Sequence, residues 1–169
     1  MFGHLRALIY GSTPASFNSP LPVEHAVSRL RAATSSSLFG EFIRQSANGK
    51  VTARRVVLER EIPFVGNSFK PVFVGRFESK EGRTVLTGAF RLSWFARAFM
   101  SFWFGFGVLW TLFAMVGALA NPSEAWFFPL AGCGLLFAGY LLVNLGKWFA
   151  RNDGAYLSEV IATALAGAA

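Results

Sequence analysis

One cysteine, two histidines and nine carboxylates in 169 residues leave this chain short of the side chains that do most protein chemistry. Cys133 alone can form neither an intramolecular disulfide nor a cysteine-based metal cluster, and so few thiols fit a reducing compartment. His4 lies at the terminus and His25 in a helical stretch, with no Cys, Asp or Glu at metal spacing on a common face. Serines crowd around Thr34–Ser37, yet no G-x-S-x-G elbow surrounds any of them. Gly75, Gly82 and Gly88 are not followed by the Lys-Ser or Lys-Thr of a phosphate loop. Glu59 and Glu61 share a strand face, but beside Arg54, Arg55 and Arg60 they read as salt-bridging surface. We therefore expect a protein that is not an enzyme, with no catalytic residues, no metal site and no cofactor.

A second scarcity is local. Between Arg97 and Lys147 the only charged residue is Glu124. It separates two apolar runs, Ala98–Ala120 and Trp126–Ala150, each longer than the roughly 20 residues that cross a hydrocarbon core of about 30 Å. The pattern predicts a transmembrane helical hairpin. Its polar residues, Asn144 and Cys133 with Ser101 and Thr111, include no ionisable proton or ion relay, which argues against a channel or transporter made by this chain alone. Met1–Tyr10, with His4 and Arg6 embedded, does not read as a secretory signal.

Charge sets the expected orientation. Arg91 and Arg97 precede the first run, Lys147 and Arg151 follow the second, and the link offers only Glu124, so both termini are expected on the cytoplasmic side of a plasma (inner) membrane. Trp94 and Trp148 would lie at the cytoplasmic headgroups and Trp126 at the opposite surface. Asn121-Pro122-Ser123-Glu124 carries helix-start signals. Pro129 then either kinks the second helix or marks its true start near Leu130. Gly132, Gly139 and Gly146 recur every seven residues, and the first helix offers Ser101 with Gly105 and Ala114 with Ala118 at small-xxx-small spacing. These residues are expected to pack the two helices together, or alternatively to dock another membrane protein or a second copy of the chain.

What is abundant is positive charge, and it is concentrated. Arg44–Arg97 holds eleven Lys or Arg against four Glu, a surplus that accounts for the whole net charge of +7. Those bases fall on alternating segments: Ser37–Gln45 and Lys50–Glu61 about an Asn48-Gly49 turn, then Phe69–Glu78 and Thr84–Ser93 about a charged link with Gly82. Four such strands suggest an antiparallel meander, with Pro71 at a strand start or edge. Basic strands are expected either as solvated surface or as attraction to the anionic leaflet; nucleic acid is a poor candidate for a domain pinned to a membrane. The apolar link Ile62–Phe69 marks Phe64, Val65 and Phe69 as a cap on the sheet or a contact with partner or lipid.

Outside the meander, Leu5–Tyr10 predicts a short strand and Gly11–Pro20 a loop. Val23, Ala26, Val27 and Leu30 fall at i, i+3, i+4 and i+7 and predict an amphipathic helix over Val23–Ala33, started by Ser19 or Pro20. A last helix, with Asp153 as N-cap, presents Tyr156, Leu157, Val160, Ile161, Ala164 and Leu165 on one face.

The order of short strand, Ser-Pro loop, helix, meander and C-terminal amphipathic helix resembles helix-grip lipid-binding domains in element order alone. It has fewer strands, and the membrane hairpin interrupts it. The expected fold is an α+β membrane protein: a cytoplasmic antiparallel sheet with flanking amphipathic helices (1–97), a transmembrane hairpin (98–150), and a C-terminal helix packing back on the cytoplasmic region (151–169). The expected role is a non-catalytic binding or accessory subunit at the cytoplasmic membrane surface, in contact with the lipid bilayer. The alternative is lipid handling in an apolar site between sheet and helices.

Overall fold

Five antiparallel strands and their covering helices form one end of the molecule, and a helical hairpin leaves from the end of the last strand. The computed structural model describes residues 6–7, 9–34, 46–61, 67–80 and 83–166. The strands are β1 (Ser12–Ser19), β2 (Ser46–Val51), β3 (Val56–Glu61), β4 (Pro71–Lys80) and β5 (Arg83–Leu92), in spatial order β1-β5-β4-β3-β2. Helix α1 (Val23–Thr34) follows β1; α2 (Trp94–Ala120), the single turn α3 (Pro122–Ala125) and α4 (Phe127–Phe149) follow β5; α5 (Asp153–Leu165) closes the chain.

Strand alternation divides the sheet into a covered face and an open one. Val56, Leu58, Phe73, Phe77 and Leu86 point toward α1 and α5 and meet Leu30, Leu157, Ile161 and Leu165 in one buried cluster. Full burial of each large side chain contributes about 1.5–3 kcal/mol. At the centre, the Phe73 ring packs edge-on to Phe17 at 5.8 Å and tilted against Phe90 at 5.2 Å. Gly75 and Gly88 face each other across β4 and β5, and a Cβ on either would come within 2.9 Å of that ring. Two bare backbones side by side give the ring its space. Ser19, buried at the end of β1, donates its hydroxyl to the Leu165 carbonyl at 2.8 Å and so ties β1 to the C-terminal turn of α5.

Several expectations change. Arg6–Ala7 and Ile9–Tyr10 are helical, with Gly11 N–H donating to the Ala7 carbonyl at 2.9 Å, where a strand was expected. The strand is instead Ser12–Ser19, within the Gly11–Pro20 stretch expected as a loop. As an edge strand paired only with β5, β1 tolerates Pro14 and needs only Ala15 and Phe17 on its inner face. The Asn48-Gly49 pair lies inside β2, opposite Glu59 and Leu58, and not at a turn. Gly49 has φ +155°, and a Cβ there would strike the Val57 carbonyl. The hairpin closes at Thr52–Arg55, where Thr52 Oγ1 accepts from Arg55 N–H at 3.1 Å. The strand expected over Ser37–Gln45 lies outside the described residues.

Pro71 opens β4 as expected. Asp153 is the first residue of α5, preceded by Asn152 at the cap position, and its carboxylate turns inward to meet Arg60 Nη1 at 2.8 Å. The Arg60 guanidinium also lies 4.6 Å above the Tyr156 ring, so a single arginine joins β3 to α5 by charge and by cation–π contact. Pro129 falls in the first turn of α4, where backbone N–H groups lack helical acceptors, and so requires no kink.

Candidate functional site

Helices α2 and α4 run side by side with their small residues between them. Gly107, Gly132 and Gly139 are buried. A Cβ on Gly107 would come within 2.6 Å of Leu136, and one on Gly139 within 2.7 Å of the Trp103 ring. That ring is fixed by a bond from Trp103 Nε1 to the Leu135 carbonyl at 3.1 Å. Gly132 faces Thr111, and Ala114 and Ala118 are partly buried further along α2. Gly146 serves a different contact: Phe69 lies where its Cβ would be, and the Asn67 amide donates to its carbonyl at 2.9 Å. Phe69 is thus packed on α4, fastening the link before β4 to the hairpin. Phe64 and Val65 lie outside the described residues. Gly105 faces away, with nothing within 4 Å of its would-be Cβ. Ser101 receives or donates a 2.6 Å bond with the Tyr10 hydroxyl, beside Ile9, which is buried with Met100, Phe104 and Val143. Asn144 bonds back to the Tyr140 carbonyl of its own helix at 2.8 Å, and not across to α2.

Around this narrow seam the hairpin is apolar and uncovered. Leu119 is 80% exposed, Phe113 79% and Phe102 71%. Both helices are long and apolar enough to cross a membrane. A seam of small residues inside and large ones outside is the inverse of a water-soluble helix pair.

The open sheet face carries the second feature. Val57, Val72 and Val74 form its floor, and Arg54, Arg55, Arg76, Arg91 and Arg97 stand around it. The result is two adjoining depressions of about 370 and 340 Å³ that share Arg55, Val74 and Arg91. Glu59 is the one carboxylate among the lining residues, and Lys70 approaches it at 3.5 Å. Arg76 pairs with Glu78 at 2.7 Å, and Lys80 reaches the same carboxylate at 3.2 Å. Arg76 first, then Lys80, hold the Glu78 carboxyl below its usual pKa. Arg54, Arg55, Arg91 and Arg97 have no carboxylate partner among the described residues. Arg97 Nε is buried and lacks an acceptor there.

The groove runs directly into the hairpin. Ser93 is the single residue between β5 and α2, and its Oγ accepts from Ala96 N–H at 3.1 Å to cap the helix. Trp94, 74% exposed, and Arg97 belong both to the first turns of α2 and to the groove wall. At the returning end of the hairpin, the Arg151 guanidinium lies 5.2 Å from the Trp148 ring, and Lys147 occupies the last turn of α4. The residues expected at a membrane surface therefore divide: Arg91, Arg97 and Trp94 line the groove, whereas Trp148, Lys147 and Arg151 mark the other helix end.

The sequence alone places Arg54 and Arg55 on a salt-bridging surface with Glu59 and Glu61. Their place in the groove follows from the Thr52–Arg55 turn, which the Asn48-Gly49 signal obscured. Among the described residues no group of three His, Cys, Asp or Glu could hold a metal, and His25 is exposed on α1. His4 lies outside the described residues. The space between sheet and helices, where the alternative reading put a lipid, is filled by Phe73, Leu30, Leu58, Leu86 and the α5 side chains. No family model, curated protein or solved structure matches the chain.

Proposed function

We propose that this chain is an integral, two-span membrane protein whose sheet domain is held at the cytoplasmic surface of the plasma (inner) membrane as a non-catalytic binding or accessory subunit. The observation that carries the reading is the pair of helices whose large apolar side chains stand exposed beyond their shared seam and their contacts with Ile9 and Phe69. In water that surface would associate or aggregate, whereas in lipid it is the ordinary exterior. A single residue, Ser93, joins sheet to span, so the domain would be pinned at the bilayer. Arg91, Arg97, Lys147 and Arg151 would all lie on the domain's side, as the positive-inside rule requires of a cytoplasmic side. Guanidinium groups only donate hydrogen bonds and have no acceptor atom, so the arginine-lined groove suits anion binding.

Alkaline carbonate extraction of membranes from cells producing the full chain tests the anchoring. The protein is expected to stay in the pellet and to be released only by detergent. Recovery in the carbonate supernatant would refute an integral protein.

A further inference from the structure

We propose that the groove on the open sheet face binds the phosphate headgroup of an anionic glycerophospholipid from the leaflet that α2 enters. The inference rests on the membrane reading above and names the ligand of the same domain. Four arginines without carboxylate partners among the described residues line the two adjoining depressions: Arg55 and Arg91 border both, Arg54 the first and Arg97 the second, beside Ser93 and Trp94. Like charges so gathered repel, and an anion between them converts that repulsion into attraction. Arginine's planar fork matches two oxygens of a phosphate, which an ammonium cannot do. Arg97 Nε is in addition a buried donor with no acceptor among the described residues. Such a group is costly to leave unmet.

Position selects a lipid as the source of that phosphate. At 1.5 Å per residue the 27 residues of α2 extend about 40 Å, against about 30 Å of hydrocarbon. The excess places the first turns of α2, with Trp94 and Arg97, in the headgroup layer. Tryptophan at that depth is a usual interfacial anchor. The valine floor of Val57, Val72 and Val74 offers contact to a glycerol backbone, for which a free phosphate has no use.

The test reconstitutes the full-length protein in nanodiscs of phosphatidylcholine with a minority of phosphatidylglycerol, then measures by mass spectrometry the lipid retained after transfer to neutral detergent. Preferential retention of phosphatidylglycerol is expected. Arg91→Gln and Arg97→Gln should each lower it about fivefold, as for a base near an anionic surface. Arg54→Gln, at an exposed turn where folding is not at stake, should lower it in the same direction. Arg29→Gln on α1, which covers the opposite face, should leave it unchanged. Equal retention in all four variants, or an equal loss in Arg29→Gln, overturns the site. So does inorganic phosphate that displaces phosphatidylglycerol at matched concentration, since the ligand would then be a soluble anion. Carbonate-resistant protein without lipid preference refutes this site alone, whereas carbonate-released protein refutes the membrane reading beneath it.

Discussion

The sheet domain and the hairpin spend similar side chains in opposite ways. In the domain, Leu30, Leu58, Phe73, Leu86, Leu157 and Ile161 have no exposed surface, and the charged residues lie around them. In the hairpin, glycines occupy the contact and Phe102, Phe113 and Leu119 face outward. The domain's order comes from removing apolar area from water. Between the two helices, order comes from close backbone approach and from the Trp103–Leu135 hydrogen bond, interactions that need no water to drive them. Apolar content alone therefore does not say which surface a segment buries. Periodicity does: two residues for the strands, a one-sided stripe for α1 and α5, and no polar stripe at all for α2 and α4.

One substitution type applied to both regions should separate them most sharply. Ile161→Asp puts a carboxylate in the domain core and should cost about 4 kcal/mol, seen as loss of the domain's cooperative melting and rapid proteolysis. Phe113→Asp, on an outward position, should leave the domain's protease resistance intact and instead reduce membrane insertion, by about 3 kcal/mol at a helix centre. If both variants unfold the domain alike, the two regions are one cooperative unit and the contrast fails.

Within the domain, the buried pair between Arg60 and Asp153 at 2.8 Å is the next test. Asp153→Ala removes the carboxylate paired with a guanidinium that is 12% exposed and should cost about 3 kcal/mol in thermal denaturation. A change under a few tenths would mean that the ion pair does not hold α5 to β3.

Within the hairpin, Gly139→Leu must displace the Trp103 ring and break its bond to the Leu135 carbonyl, at a cost of about 1–3 kcal/mol in detergent. Gly105→Leu, facing open space, should cost far less and serves as the control. Equal effects would show that the seam does not depend on close approach.

The smallest effect concerns Glu78, whose carboxyl is held below its usual pKa chiefly by Arg76 and then by Lys80. A carboxylate depressed in the folded state adds stability above its unfolded pKa and loses it as pH falls through the folded value. The melting difference between the parent and Glu78→Gln should be small at neutral pH and in low salt, and should vanish in acid. A difference that grows with acid would have the wrong sign.

Much of the domain was legible because its signals are periodic. The i, i+3, i+4, i+7 spacing located α1, Pro71 marked the start of β4, and the inward face of α5 was read residue by residue. β1 was not legible because an edge strand needs only Ala15 and Phe17 inside, and its Ser, Pro and Asn residues resemble a loop. Asn48-Gly49 misled because glycine also serves where a neighbouring carbonyl leaves no room for a Cβ, as Val57 does here. The real turn uses the Thr52 hydroxyl, a weaker sequence signal. The groove inherited that error: once the turn moves to Thr52–Arg55, Arg54 and Arg55 join Arg91 and Arg97, which are far away in sequence. Arg60–Asp153 and Phe69–Gly146 pair residues 93 and 77 positions apart, and no local pattern announces them.

On the proposed topology the two regions lie in different solvents, with the domain in the cytoplasm and the Asn121–Ala125 connection outside. Cys133 is the chain's only cysteine, so a Cys133→Ser background makes the placement directly readable with a membrane-impermeant maleimide on intact bacterial cells. Ser123→Cys, exposed in the connection, should label from outside, and Ser28→Cys, exposed on α1, should label only after lysis. Labelling of Ser28→Cys on intact cells, with Ser123→Cys protected, would contradict the orientation and remove the groove from the leaflet it is proposed to read.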